Sequence, residues 1–375
     1  MNVVECEVID VYVCFVSFFF TCADGDAFNA LDGFWEVCLF TLLCAREQKV
    51  GHLDERVSPS NFSVVNEFHL LNKEVSLYLL KMSRKVIVTT TINEPTEATK
   101  RYARMDGWDF IVVGDLSTPH KSYQDLEGCT YLSPKDQEHL DKSLSDMIGW
   151  KTIQRRNMGF IYANKEKYDI IATVDDDNIP LANWGQLFTG TKVSKYTPAC
   201  KFFDPLSVTN YPHLWHRGFP LQHVHEKNKD ILHTIVDAPK FDIQANLWNG
   251  DPDIDAVCRM VYAPECTFNS DWYYSDTPGP FNSQNTILTS KVLRDYFVFD
   301  RVGRMDDIFA SYVVQKMGYK VVFGPATVYQ ARNEHDLTVD MKKEYIGYEN
   351  VKDILETEDF IYKPSYERYR EIMNM

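Results

Sequence analysis

Apolar and polar positions along the middle of the chain alternate between a strand-like and a helix-like period. VIVTTTI (86–92) is rich in β-branched residues and is bounded by Asn93 and Pro95, which predicts a strand and then a turn. Residues 96–105 read as a helix. DFIVVGD (109–115) predicts a second strand ending on Gly114 and Asp115. Residues 134–147 and 150–164 have helical composition. YDIIATV (168–174) predicts a third strand, which runs straight into Asp175, Asp176 and Asp177. This β-α-β-α-β alternation predicts an α/β fold with a mostly parallel sheet and helices on both faces. Ligands of such sheets sit beyond the carboxyl ends of the strands. Asn93, Asp115 and the three acids all fall at such ends, so they are expected to converge on one cleft.

The second half is less regular. Residues 197–220 are rich in prolines and aromatics and read as loops that face a ligand. MDDIFASYVVQKM (305–317) predicts a helix with acids at its start, YKVVFG (319–324) a strand, and 338–356 an outer helix. The expected organisation is an N-terminal segment of uncertain structure over 1–80, one main domain over 81–337 and a helical extension over 338–375. VYVCFVSFFFTC (11–22) and FWEVCLFTLLCA (34–45) are apolar, but each falls short of the roughly 20 residues that span a bilayer. Glu5, Glu7 and Asp10 stand where a signal peptide wants positive charge. Buried elements, a degenerate membrane anchor and a segment foreign to the fold all remain open for this stretch. Asn61-Phe62-Ser63 is a glycosylation sequon, a triplet frequent by chance.

Charge narrows the chemistry. Lysine and arginine total 39 against 54 acids, a formal charge of −15. No basic stripe is present to displace counterions, so a nucleic-acid partner is not expected. An anionic ligand would need a metal or a local arginine cluster. Five of the nine cysteines lie in the first 44 residues and none are in C-x-x-C spacing, which reads as reduced thiols and not as a disulfide framework.

Six stretches carry candidate chemistry. Asp175 and Asp177, two apart at a strand end, point to the same side of the chain and suit Mg²⁺ or Mn²⁺ together with diphosphate oxygens; the bland alternative is a solvated acidic turn. Arg155 and Arg156 in KTIQRRNMGFIYA (151–163) can hold phosphate or carboxylate. One is expected to face the cleft and the other the surface. NLWNGDPDIDA (246–256) sets Trp248 among amides and acids, which suits either a sugar or a turn with a buried tryptophan. Asp306 and Asp307 in GRMDDIFASY (303–312) fit N-capping or a general base. His223-x-His225, within the run of His213, His216, His223, His225 and His233, is a weak zinc candidate with no cysteine near in sequence. His335 in YQARNEHDL (329–337) could complete a metal's coordination.

Taken together, VTTTINEPTEATKRYA, the VVGD strand end, GWKTIQRRNMGFIYA, TVDDDNIP, RGFPL, LWNGDPDIDA and GRMDDIFASY resemble the STELLO family of glycosyltransferases. The likeness covers roughly residues 84–350. A more distant resemblance is to the reversibly glycosylated polypeptides, the UDP-arabinopyranose mutases. The resemblance implies a GT-A-like nucleotide-diphospho-sugar transferase fold that takes a UDP-sugar donor, a glycan or protein acceptor, and Mn²⁺ or Mg²⁺. It implies donor-binding roles for Thr91, Asn93, Asp115, Arg155, Arg156, Asn157, Asp175, Asp176, Trp248, Asn249 and Asp251. Asp175, Asp177 and His335 would hold the metal, and Asp306 or Asp307 would act on the acceptor. It also implies a Golgi setting, with cytoplasmic as the alternative, and association with a membrane, a Golgi complex or further copies of the chain. A mutase and a non-catalytic Golgi scaffold are the rival functions. Gln330 stands where the mutases have a histidine, and no arginine occurs between Arg217 and Arg259, where they carry the self-glycosylated one. Plant STELLO proteins carry an anchor and a further domain, and the chain is expected to lack room for the latter.

Overall fold

A computed structural model describes residues 83–331, 336–351, 354–356 and 363–375. The chain divides between Ser76 and Leu77, and every described residue lies in the second unit. The readings made for the two apolar runs, the sequon and His335 therefore fall outside the described residues.

The strands are β1 (Lys85–Thr91), β2 (Asp109–Gly114), β3 (Cys129–Leu132), β4 (Ile170–Val174), β5 (Asn178–Pro180) and β6 (Lys192–Thr197). Then come β7 (Leu232–Asp237), β8 (Ile243–Gly250), β9 (Tyr273–Tyr274), β10 (Asn285–Thr289) and β11 (Val321–Gln330). The helices of the first half are α1 (Glu97–Tyr102), α2 (His120–Gln124), α3 (Pro134–Leu140), α4 (Lys142–Ile148) and α5 (Arg156–Lys165). Those of the second half are α6 (Ala256–Tyr262), α7 (Ser290–Leu293), α8 (Asp306–Lys316), α9 (Leu337–Val351) and α10 (Pro364–Met373).

Among the described residues, eleven strands form one sheet in the order β3-β2-β1-β4-β10-β8-β11-β9-β6-β7, with β5 paired to β11. The α/β expectation holds. The parallel expectation holds for the half the sequence announced, since β3, β2, β1 and β4 are mutually parallel. Beyond β4 the sheet is mixed: β10 runs antiparallel to both neighbours, while β8 and β11 are parallel to each other. The central strands are buried along their length, all five residues of β4 among them, so both faces of the sheet are covered.

Local chemistry explains where elements break. The helix expected over 134–147 is two helices, because Asp141 is extended and its side chain accepts from Leu144 N at 2.7 Å as the N-cap of α4. A capping box of Ser133 and Asp136 starts α3. The helix expected from 150 begins at Arg156, after a tight turn over Ile153–Arg155.

Helix α5 lies close on β1 and β2. A Cβ at Gly159 would stand 2.5 Å from Val88 Cγ1 and 2.7 Å from Val113 Cγ2. Gly159→Ala is therefore expected to lower stability by about 1–3 kcal/mol through overpacking. A urea unfolding midpoint equal to the parent's would contradict this packing.

Candidate functional site

The strand order brings distant acids to one edge. Strands β1, β2 and β4 end there because they are parallel. Because β10 is antiparallel to β4, with Asn285 opposite Val174, the residues before β10 arrive at the same edge. Strands β8 and β11 then return their carboxyl ends to it. The chain leaves β4 through the three aspartates and enters β5, where Asn178 pairs with Gln330 at the end of β11. The expected convergence is thus observed, and Gln330 joins it.

Each aspartate has a different environment. Asp176 is held by β1: its Oδ2 accepts from Thr91 Oγ1, and from Asn93 Nδ2 at 3.0 Å. Thr96, the N-cap of α1, donates to the Asp176 carbonyl. Asp175 Oδ1 accepts from Arg156 Nη2 at 2.7 Å. Burial pushes the Asp175 carboxyl up, against the pull of Arg156. Asp177 faces the Gln330 amide, whose Nε2 lies 3.5 Å from Oδ2, and its own backbone N–H. Its buried Oδ1 has no hydrogen-bond partner among the described residues. Burial, with Asp175 and Asp176 alongside, raises this carboxyl to about 7. An unpartnered buried carboxylate oxygen beside a second carboxylate fits a hard divalent cation. His335, the third ligand implied by the resemblance, lies outside the described residues.

Beneath the acids runs a chain of charge-assisted hydrogen bonds that the sequence did not reveal. Arg156 is fully buried and donates to Ser283 O at 2.9 Å and Ser283 Oγ at 2.6 Å. Ser283 N and Oγ donate to Asp307 Oδ2 at 2.8 and 3.2 Å. Asp307 Oδ1 accepts from both terminal nitrogens of Arg217 at 3.3 Å. Arg217 then forks onto Asp253, with 2.7 Å from Nε to Oδ1 and 2.9 Å from Nη2 to Oδ2. Asn282 adds a 2.8 Å bond to Asp253. Burial alone would raise Asp253 and Asp307, but Arg217, joined by Asn282 at Asp253 and by Ser283 at Asp307, holds both below the usual carboxylate range. Arg217, Asn282 and Ser283 were not singled out as site residues. RGFPL was the one available signal, and it carried no partner.

The two acids of α8 consequently differ. Asp307 is enclosed by Arg217 and Ser283. Asp306 is partly exposed, and its Oδ2 accepts from Gln154 Nε2 at 3.3 Å. Burial, with Asp307 next to it, raises the Asp306 carboxyl to about 7. The N-cap position of α8 is Met305, and Asp306 Oδ1 accepts from Asp307 N at 3.0 Å within the first turn, so part of the N-capping role falls to Asp306.

Several sequence candidates are held by partners within the fold. Arg155, expected at the surface if Arg156 faces inward, is fully buried; it bonds Gln137, Ser145 and the Gly149 carbonyl, with the Trp150 ring 3.8 Å away. Asn157 exchanges two 2.9 Å bonds with the backbone of Val298. Asp115 accepts from the backbone of Leu116, Lys151 and Thr152 at 2.6, 2.7 and 3.2 Å, which pins the loop entering α5. Trp248, near the end of β8, is 2% exposed and donates to the Asp251 carbonyl. Asn249 accepts from Phe268 N at 2.9 Å, and Asp251 pairs with Arg259. Their loop still reaches the site's rim, because Asp251 N donates to Gln330 O at 3.0 Å. Of the histidine run, His223 stands in reach of Cys200 and Glu226, and His225 is not part of that group.

No family model matches the chain. The chain is similar to "Probable glycosyltransferase STELLO2" of Arabidopsis thaliana, 25% identical over 337 residues, 80% of this chain and 43% of that protein. It is also similar to "Probable glycosyltransferase STELLO1" of the same plant, 27% identical over 313 residues, 76% of this chain and 40% of that protein. The chain thus spans about two-fifths of the length of these relatives. Over roughly four-fifths of its length, with a GT-A-like α/β sheet, this chain is similar to the STELLO-type glycosyltransferases.

Proposed function

We propose that the chain is a metal-dependent glycosyltransferase that moves a sugar from a UDP-sugar to a hydroxyl of a glycan or protein. The observation that carries the reading is Asp177: a half-buried carboxylate whose buried Oδ1 has no partner among the described residues, beside Asp175, at the carboxyl edge of the sheet. Asp175 and Asp177 would hold Mn²⁺ or Mg²⁺, which supplies neutralisation of charge developing on the leaving diphosphate. Arg156 fixes the orientation of Asp175, while Thr91 and Asn93 fix Asp176. Asp306 takes the proton of the acceptor hydroxyl, and Gln154 orients it. A Golgi-associated setting accompanies this reading. Among the described residues no helix is long and apolar enough to cross a membrane.

The test is a screen of UDP- and GDP-sugars for Mn²⁺-dependent binding and slow hydrolysis, with EDTA as the control. One preferred donor, lost with EDTA, is the expected result. No binding by any nucleotide sugar, from folded protein, would overturn the proposal.

The acceptor step makes a prediction of its own. With its carboxyl raised to about 7, Asp306 becomes the base form only as pH rises through that value. Transfer to an acceptor is expected to climb across pH 6–8 with an inflection about 7. Asp306→Asn is expected to lower kcat by on the order of 10²-fold and to flatten this limb, with donor KM little changed. A pH profile of the variant that parallels the parent's would remove Asp306 from the role.

A further inference from the structure

The histidine run and the buried thiols were separate in sequence, and the fold joins them. Cys200 follows β6, while His223 and Glu226 lie on successive turns more than twenty residues later. Glu226 N donates to His223 O at 2.8 Å, which closes a turn and sets both side chains on one side of it. His223 Nδ1 and Glu226 Oε2 are 3.2 Å apart. The Cys200 sulfur completes the group, with all three ligand atoms within 4.8 Å of one another. An ordinary His–Glu ion pair accounts for two of these residues and gives no reason for a buried thiol to stand in reach of both.

We infer that Cys200, His223 and Glu226 form a zinc site, distinct from the carboxylate cation site. The donor set selects the metal. Thiolate and imidazole suit a borderline-soft cation, whereas Mg²⁺ and Ca²⁺ want oxygen alone. One thiolate and one carboxylate also balance Zn²⁺, so the assembled site is neutral and tolerates the burial of Cys200 and the partial burial of His223. Zinc–ligand bonds of about 2.0–2.3 Å require the ligand atoms to be roughly 3.5 Å apart, a contraction within reach of side-chain rotation. As the sulfur–zinc bond forms, the thiol proton passes to solvent. Without a metal, burial holds the Cys200 thiol above its ordinary range, against the pull of the backbone N–H groups of Phe202 and Lys201, so the metal itself must displace the proton. The nearby Lys227 does not compete, since it is paired with Asp204 at 2.9 Å. A water fills the fourth position.

The site's place in the chain gives it a purpose. Its ligands tie together the two ends of the irregular segment 200–226. That segment delivers Arg217 to Asp253 and Asp307. Closing such a loop with a metal stabilises the folded form by mass action.

The experiment uses the full chain, stripped of metal and titrated with Zn²⁺ and with Co²⁺ as a spectroscopic stand-in. One zinc per chain is expected, with a sulfur-to-cobalt charge-transfer band that Cys200→Ser abolishes. Glu226→Gln, at a half-exposed side chain, is expected to fold normally and to weaken zinc by at least about tenfold. Asp177→Asn is expected to keep the cobalt band, which separates this site from the donor site. A band that persists in Cys200→Ser would come from a cysteine other than Cys200 and overturns the proposal, and so does its absence from the parent. Should Cys200→Ser fail to fold, unchanged zinc affinity in Glu226→Gln and His223→Gln overturns it equally.

Discussion

Asp177→Asn is expected to abolish Mn²⁺-dependent binding of a UDP-sugar while leaving the fold intact. The substitution keeps the shape of the side chain and its contact with Gln330. It removes the negative charge and gives the buried unpartnered oxygen site to a neutral amide. A ligated cation contributes several kcal/mol of charge stabilisation, so losing about 3 kcal/mol corresponds to roughly 10²-fold or more in donor affinity and turnover. Stability should not fall. The native carboxyl is raised by burial and by two neighbouring carboxylates, so its charge is unfavourable in the folded protein without a metal. Calorimetry of UDP binding with and without Mn²⁺, beside a urea melt of each protein, checks both halves. Equal affinity in the variant would end the assignment of Asp177 as a ligand.

Arg217→Met should be the most destabilising single change in the site. Arg217 is 8% exposed and satisfies two buried carboxylates, Asp253 and Asp307. Removing one partner of a buried ion pair costs about 3–5 kcal/mol, because the others remain buried and uncompensated. Arg217→Lys should recover only part of this, since an ammonium cannot fork onto Asp253 as the guanidinium does. The pH dependence carries the same signature. Asp253 and Asp307 are depressed in the folded protein, so their contribution is present above the ordinary carboxylate range, about pH 4, and is lost as pH falls below it. Urea midpoints from pH 7 down to pH 3 should fall steeply for the parent and less for Arg217→Met. Parallel curves would show that the network is not what Arg217 supports.

Much of the first half of the fold follows from local sequence. Continuous β-branched runs ending at Asn93, Asp115 and Asp175 predicted β1, β2 and β4 and the parallel sheet they share, because buried strands are legible as apolar runs. The strands that were missed lack that signature. Strand β8 carries buried Gln244 and Asn246, which interrupt its apolar pattern; Gln244 is satisfied by Phe188 N and Gln186 O. Strand β7 is almost wholly exposed at the sheet's edge, and β3 buries one residue in four.

The site divides along the same line. The chain by itself determined that acids stand at strand carboxyl ends, because strand period and turn residues are local properties. Only the tertiary structure decided which acids are free. Whether Arg155 or Arg156 meets Asp175, whether Asp306 or Asp307 is enclosed, and whether Trp248 is buried all depend on partners brought by strand order. Ser283 reaches Arg156 across 127 residues because β10 enters the sheet antiparallel beside β4. No periodicity within one segment encodes that neighbour. The same physics hid Cys200 from His223, since burial and charge pairing are set by what the fold packs alongside a residue.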